Sequence, residues 1–515
     1  MKKLIVPCLL AGLASIGPVT GVKAKEATWI TNQPLTLTIH MHFRDKFVWE
    51  DSWPAAKELS RLTNVTLHNT ASKAATNSLE QFNLTVASGM LPDIVAGDNL
   101  KDNFIRYGME GAFIPLNKLI DQYAPNLKAF FKTHPFVKNA ITAPDGNIYF
   151  IPYVPDGKVA RTWWIREDWL DKLHLKQPTT VDELYTVLKA FRDKDPNGNG
   201  KKDEIPFFTR ENQMVYALVN LWGARSTGSD SACDFYAEGG KMKHPFAEEK
   251  FRVGIKNMAK WYAEKLIDPE VFTRGGRARE QLYGANNGGF TYDWPASTAS
   301  YNTTFVKTIP GFKVVGIKPV KDSTGKLWVE NSRLQLRPDG WAITSRNKHA
   351  IETIKLFDFY FSPKGRLLSN FGVEGKTYSM KNGKPVFSDE VLKGKTPVLT
   401  QMWSVGAQIP IGFWQDYEYE RQWTIPTAQS CVDVYTKGNW FVQPFYGVNM
   451  TKSEREVYDK YWPDIKTYML EMAQSWVLGT KNVDKTWDEY QKHLKAMGFE
   501  KVLAVLQTAY ARQYK

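Results

Sequence analysis

A chain of 515 residues with 67 Lys and Arg against 54 Asp and Glu carries a formal charge of +13, and 13% of it is aromatic, including 18 Trp and 23 Tyr. That length exceeds what one hydrophobic core usually serves, so two domains are expected. Beyond the N-terminus no run reaches the ~18 to 20 apolar residues of a membrane helix, and three cysteines are too few for a disulfide scaffold.

The N-terminus has the three parts of an export signal. Lys2 and Lys3 are followed by the apolar run Leu4 to Gly17, and Val22-Lys23-Ala24 places small residues at a cleavage site, so residues 1–24 are expected to be removed. Cys8 lies inside the apolar run, where a lipid-bearing cysteine would instead close it. The mature protein is therefore expected to be soluble and periplasmic, with Cys233 and Cys431 as free, buried thiols. A basic chain suits an anionic partner, whether nucleic acid, acidic glycan or membrane surface, and equally suits mere solubility. Export disfavours nucleic acid, while abundant rings suit the flat faces of sugars.

In chain order, Leu35 to His42 alternates as a strand, Trp53 to Leu62 has helical apolar spacing, and Val65 to His68 is strand-like. This is a β-α-β opening. Gln81 to Ser88 reads as helix, Asp93 to Ala96 as a short buried strand ending at Gly97, and Leu116 to Phe131 as helix interrupted at Pro125. After the turn Asp145-Gly146, strands are expected over Ile148 to Val154 and Trp163 to Arg166, then helices over Val181 to Arg192, Phe251 to Leu266, Ile351 to Phe361 and Glu454 to Trp476. Alternation of this kind implies an α/β fold with a mainly parallel sheet. With no repeat and no flexible tether, the expectation is two lobes joined by short hinge segments. The first lobe is assigned 25–153 and 295–360, the second 154–294 and 361–515, with the first crossing near Tyr153 to Lys158.

Asp195-Pro-Asn-Gly-Asn-Gly-Lys-Lys-Asp-Glu204 matches the oxygen spacing of an EF-hand loop. Calcium takes six to eight hard oxygens, and Asp195, Asn197, Asn199, the Lys201 carbonyl and Asp203 occupy the required places around a glycine at the sharp turn. Pro206 stands where a bidentate glutamate usually closes the shell, so Glu204 has to help. The same residues also favour metal-free turns. A structural Ca2+ is the expectation.

Ligands of open α/β sheets lie beyond the carboxyl ends of strands. Rings beside charges, near such ends or glycines, occur at His40 to Trp49 with His42, Arg44 and Lys46, at Tyr153 to Trp164 with Arg161, at Gly288 to Trp294, and at Phe413 to Trp423 with Arg421; Arg337 to Trp341 is a weaker fifth. Tyr153, Trp294 and Trp423 are the candidate sugar platforms, whereas Trp169, Trp261 and Trp462 sit on helical patterns and belong to the core. Asp416, Glu418 and Glu420 alternate; read as an extended segment they stand on one face only ~7 Å apart, with no room between them for a glycosidic bond. His40 and His42 share a strand face but lack a third metal ligand. With no nucleophile elbow, zinc pair or phosphate loop, no enzymatic activity is expected.

The stretches His40 to Lys46, Asp195 to Glu204, Arg337 to Ile343 and Ile409 to Trp423 resemble the extracellular solute-binding proteins of bacterial ABC importers, and among them the periplasmic alginate-binding proteins, over essentially the whole mature chain. That resemblance implies a monomer that holds alginate oligosaccharides between its lobes, with stacking on Tyr153, Trp294 and Trp423, a calcium ion in the Asp195 loop, and delivery to membrane permease subunits. Other acidic glycans, such as glycosaminoglycan or pectin fragments, remain the nearest alternative, with an alginate lyase further off.

Overall fold

The computed structural model describes residues 29–228, 235–330, 333–442 and 444–514. Its first lobe is organised around the alternating strand Leu35–Phe43, whose Leu37, Ile39 and Met41 are fully buried. Helices Pro54–Thr63 and Ser78–Ala87 return the chain so that Val65–Asn69 and Ile94–Gly97 flank this strand in parallel, as β-α-β units require. Gly340–Ile343 then joins antiparallel to Ile94–Gly97, Ile151–Val154 pairs with Gly340–Ile343, and Phe413–Trp414 closes the edge in parallel with Ile151–Val154. The short strand Phe47–Val48 folds back on Leu35–Phe43.

The second lobe has a four-stranded sheet in the order Val314–Ile317, Thr162–Arg166, Gly288–Asp293, Ile205–Phe208. Helices Val181–Asp193, Glu249–Ala263 and the C-terminal trio Lys452–Val477, Val483–Ala496 and Phe499–Tyr514 enclose it. Trp169, Trp261 and Trp462 are buried there, as their helical spacing implied. Cys431 is free and buried, and burial pushes its thiol up to about 12, which leaves it unreactive. Cys233 and the signal segment lie outside the described residues.

The chain passes between lobes after Val154, between Ile317 and Gly340, and between Trp423 and Pro426. Two assigned boundaries therefore move. Val314–Ile317, expected in the first lobe, belongs to the second sheet, while Pro363–Phe371 and Phe413–Trp414, expected in the second, pack with the first. Strands of two to four apolar residues look alike whichever sheet accepts them. A border contact completes the join: Tyr446 stacks on Phe136 at 5.2 Å, Asn449 donates to the Ala140 and Thr142 carbonyls, and Arg455 pairs with Asp102 at 2.7 Å.

The carboxylate-rich segment also differs from its extended reading. Tyr417–Trp423 is a helix, with the Asp416 side chain accepting the Glu418 N–H and Glu418 and Glu420 in the first turn. An N-cap aspartate with acids in the first turn is helix chemistry, which outweighs the apparent alternation of Asp416, Glu418 and Glu420.

Candidate functional site: the interlobe cleft

Tyr153 lies near the end of its strand, next to the first crossing, and its ring stacks on Phe413 at 4.5 Å. Trp294 immediately follows the strand Gly288–Asp293, with Pro295 opening the next helix, so the ring stands out from the second lobe with 36% of its surface exposed. Trp423 ends the helix Tyr417–Trp423, edge-on to Tyr419. These three rings from distant segments line one cavity of about 300 Å³ together with Arg44, Arg333, Arg337, Trp403, Gln408, Gln415, Tyr417 and Glu420. The volume is at the lower end of small-molecule sites, and the mixture of rings with a few convergent polar groups is typical of them.

The polar floor is a connected chain. The Tyr153 hydroxyl donates to Gln408 Oε1 at 3.4 Å, which also accepts from the Gln415 amide at 3.1 Å; Gln408 in turn donates to Asn370 at 3.0 Å. Gln415 Oε1 accepts from Arg333 at 3.1 Å, and Arg333 pairs with Glu420 at 2.6 Å. Burial holds the Tyr153 phenol above its usual range, so it remains a neutral donor.

At the rim, Arg44 has a left-handed φ of 52° and faces Asp98 at 3.6 Å, with its guanidinium 5.8 Å from the Trp403 ring. Arg337 pairs with Asp339 through Nε at 3.0 Å. Burial and, after it, the neighbouring Asp339 raise the Asp98 pKa, and Arg44 opposes the shift. Their side chains are 42% and 39% exposed, so each still presents N–H groups to the cleft side.

Four sequence candidates fall elsewhere. His42 is buried under helix Ser78–Ala87, with Nδ1 on Ser78 and Nε2 on the Ala75 carbonyl. His40 Nδ1 meets Thr85 in the same packing. Lys46 is exposed over the Phe47 ring, outside the cavity. Arg161 is buried and gives its Nη1 to the Gly228 carbonyl at 2.7 Å, fastening a loop. Arg421 is exposed on the outer side of Trp423, in a neighbouring depression. Conversely, Arg333, Trp403 and Gln408 carried no local signal, whereas Tyr417, Tyr419 and Glu420 lay inside the ring-and-charge stretch ending at Trp423.

In the Asp195 loop, Gly198 and Gly200 adopt φ of 76° and 75°, and the Asp195 carboxylate accepts the N–H groups of Gly198, Asn199 and Gly200. Asn197 and Asn199 turn their amides to Asp203 at 3.0 and 3.1 Å. Glu204 is buried, yet neither carboxylate oxygen receives a well-aligned hydrogen bond. Burial raises its pKa, as do Asp195 and Asp203 nearby. Among the described residues no three acidic, His or Cys side chains converge as a preformed metal cluster; two of the donors here are amides. A buried carboxylate so poorly satisfied is costly, and the all-oxygen donor set around it fits a hard divalent cation.

Comparison with known proteins accounts for this architecture. The model of the bacterial extracellular solute-binding proteins matches residues 63–367. The chain belongs to that family. A crystal structure of the alginate-binding protein AlgQ2, solved without calcium ion, is 63% identical and superimposes with a TM-score of 0.80 over 95% of this chain and 100% of that one. The fructooligosaccharide ABC transporter substrate-binding protein FusA of Streptococcus pneumoniae is 29% identical, covering 84% of this chain and 82% of its own. The polygalacturonan/rhamnogalacturonan-binding protein YtcQ of Bacillus subtilis is 29% identical over 46% of this chain and 45% of its own. In this solute-binding protein the cleft between the lobes is the candidate site. No described helix is long and apolar enough to cross a membrane.

Proposed function

We propose that this protein captures alginate oligosaccharides outside the cytoplasm and delivers them to the membrane permease of an ABC importer, without cleaving them. The observation that carries the reading is the pairing, in one cleft, of three sugar-sized rings with two half-exposed arginines. Tyr153 and Trp423 offer ring faces from the first lobe and Trp294 from the second, while Arg44 and Arg337 meet the uronate carboxylates, which guanidinium can grip with parallel hydrogen bonds. The name of the 63% identical relative agrees with that chemistry. Closure of the lobes brings Trp294 against the sugar and expels water, which strengthens the charge pairs.

The loop Asp195 to Glu204 would hold a structural Ca2+, with Asp195, Asn197, Asn199, the Lys201 carbonyl, Asp203 and Glu204 supplying oxygen donors. Bound there, a divalent cation supplies charge that offsets three carboxylates. The loop connects helix Val181–Asp193 to strand Ile205–Phe208 and lies away from the cleft lining, so its effect is on the second lobe's stability.

Calorimetric titration of the mature protein with size-defined alginate oligosaccharides tests the reading, with carboxyl-reduced and neutral oligosaccharides alongside and ultraviolet absorbance followed for cleavage. One-to-one binding that weakens with salt, without new absorbance, is expected. Binding indifferent to carboxyl reduction sinks it, and preference for oligogalacturonate would transfer the role to pectin fragments, as the YtcQ relationship suggests.

A further inference from the structure

At its Trp423 end the cleft adjoins a second depression. Thr424 borders both the cavity and this open depression of about 550 Å³, lined by Arg421, Pro426, Gln429, Asp433 and Lys437. The two are separated by the corner Trp423 to Pro426. There the chain leaves helix Tyr417–Trp423, anchored in the first lobe's periphery through Tyr419, for helix Pro426–Gly438, anchored on the second lobe through Ala428, Cys431 and Tyr435.

Residues 426, 429, 433 and 437 recur three or four apart, so they form one helix face, opposite the buried one. At 1.5 Å per residue this face forms a wall about 16 Å long. A cation stands at each end, Arg421 beside the corner and Lys437 at the far end, both exposed. Asp433 between them is held by the Gln429 amide at 2.7 Å, which leaves the groove polar with an excess of positive charge. An extended hydroxylated polyanion suits such a wall; a compact apolar ligand does not. A cavity of about 300 Å³ also cannot enclose a long glycan, so the chain has to leave somewhere, and this is the opening next to a platform ring.

Building on the proposed function, we propose that the groove along helix Pro426–Gly438 is an outer subsite that binds the continuing uronate units of a chain whose first units lie in the cleft. Arg421 and Lys437 pair with carboxylates there, so affinity and salt sensitivity both grow with oligomer length. Because one end of the groove lies on each side of a lobe crossing, a long ligand also bridges the lobes outside the cleft.

The test is calorimetric titration of the whole mature protein with alginate oligomers from disaccharide to octasaccharide, at two salt concentrations. The wild type is compared with Arg421→Ala/Lys437→Ala and with the charge-reversed Arg421→Glu/Lys437→Glu. Both residues are exposed, and circular dichroism checks that the variants fold. Exposed ion pairs contribute up to roughly fivefold each, so the alanine variant is expected to lose about tenfold on the longest oligomers and under twofold on the shortest, with a flatter salt dependence. Charge reversal enlarges the same length-dependent loss. Equal losses at every length would place these cations in the cleft itself and overturn the proposal, as would no loss at any length. A wild type that binds none of the oligomers would sink the alginate reading, and the outer subsite with it, an outcome distinct from the other two.

Discussion

The two walls of the cleft use arginine in opposite ways. On the first lobe, Arg44 and Arg337 each meet one aspartate through a single long or Nε contact and stay about two-fifths exposed. On the second lobe, behind Trp294, Arg210 and Arg279 converge on the fully buried Asp293, and Arg161 is tied to backbone carbonyls. Asp293 also accepts the Trp294 N–H at 2.7 Å. The charges of the first wall are thus available to a ligand, while those of the second hold a ring in place. Partly exposed and fully engaged guanidiniums are thus divided between the two walls.

Breaking the second wall should have the largest effect. Asp293→Ala leaves Arg210 and Arg279 without their buried counter-charge, and loss of one partner of a buried pair costs about 3 to 5 kcal/mol. Thermal unfolding should show the second lobe destabilised, and a melting temperature close to wild type would contradict the division.

Acid should weaken both lobes through a buried neutral histidine in each. Burial lowers His40 to about 4, helped by His42, and lowers His244 to about 3, helped by Lys466. Unfolded, both titrate near 6.5, so the unfolded chain takes up protons first. Their contribution is intact above pH 6.5 and is lost as pH falls toward 4, at about 1.4 kcal/mol per unit and per histidine. Denaturant midpoints measured from pH 7 to 4 should fall, and His40→Gln should flatten the first lobe's share of that slope if the variant folds.

Opening the first wall should cost affinity rather than stability. Arg44→Ala and Arg337→Ala each remove a charged hydrogen-bond donor, worth about 1.5 to 3 kcal/mol where the partner carboxylate is desolvated. Alginate affinity should drop about tenfold or more per substitution, with the melting temperature nearly unchanged. If Arg161→Ala did the same, the division between walls would fail. The smallest effect is expected at Lys46, which packs on Phe47 outside the cavity; Lys46→Ala should change affinity by less than about twofold, as for an exposed charge.

Local pattern carried far in this protein. The opening β-α-β unit, the buried Trp169, Trp261 and Trp462, and the donor spacing of the Asp195 loop could all be read along the chain, because backbone periodicity and turn chemistry involve neighbours a few residues apart. The cavity rings Tyr153, Trp294 and Trp423 were legible for a related reason: each stands at or just past the end of an element. His42, Lys46 and Arg161 looked equivalent to Arg44 and Arg337 as cations or imidazoles near rings, and the helix Tyr417–Trp423 looked like alternation.

Sequence by itself therefore determined the α/β organisation in two lobes and the ring-rich, cationic chemistry of the molecule. Tertiary structure alone decided which charges stay exposed at the cleft. Arg44 is met by Asp98, Arg333 by Glu420 and Asp293 by Arg210, partners that lie tens of residues away in the chain. For these groups engagement depends on distant carboxylates and on which strands the two sheets recruit, whereas Arg337 meets Asp339 two residues along its own segment.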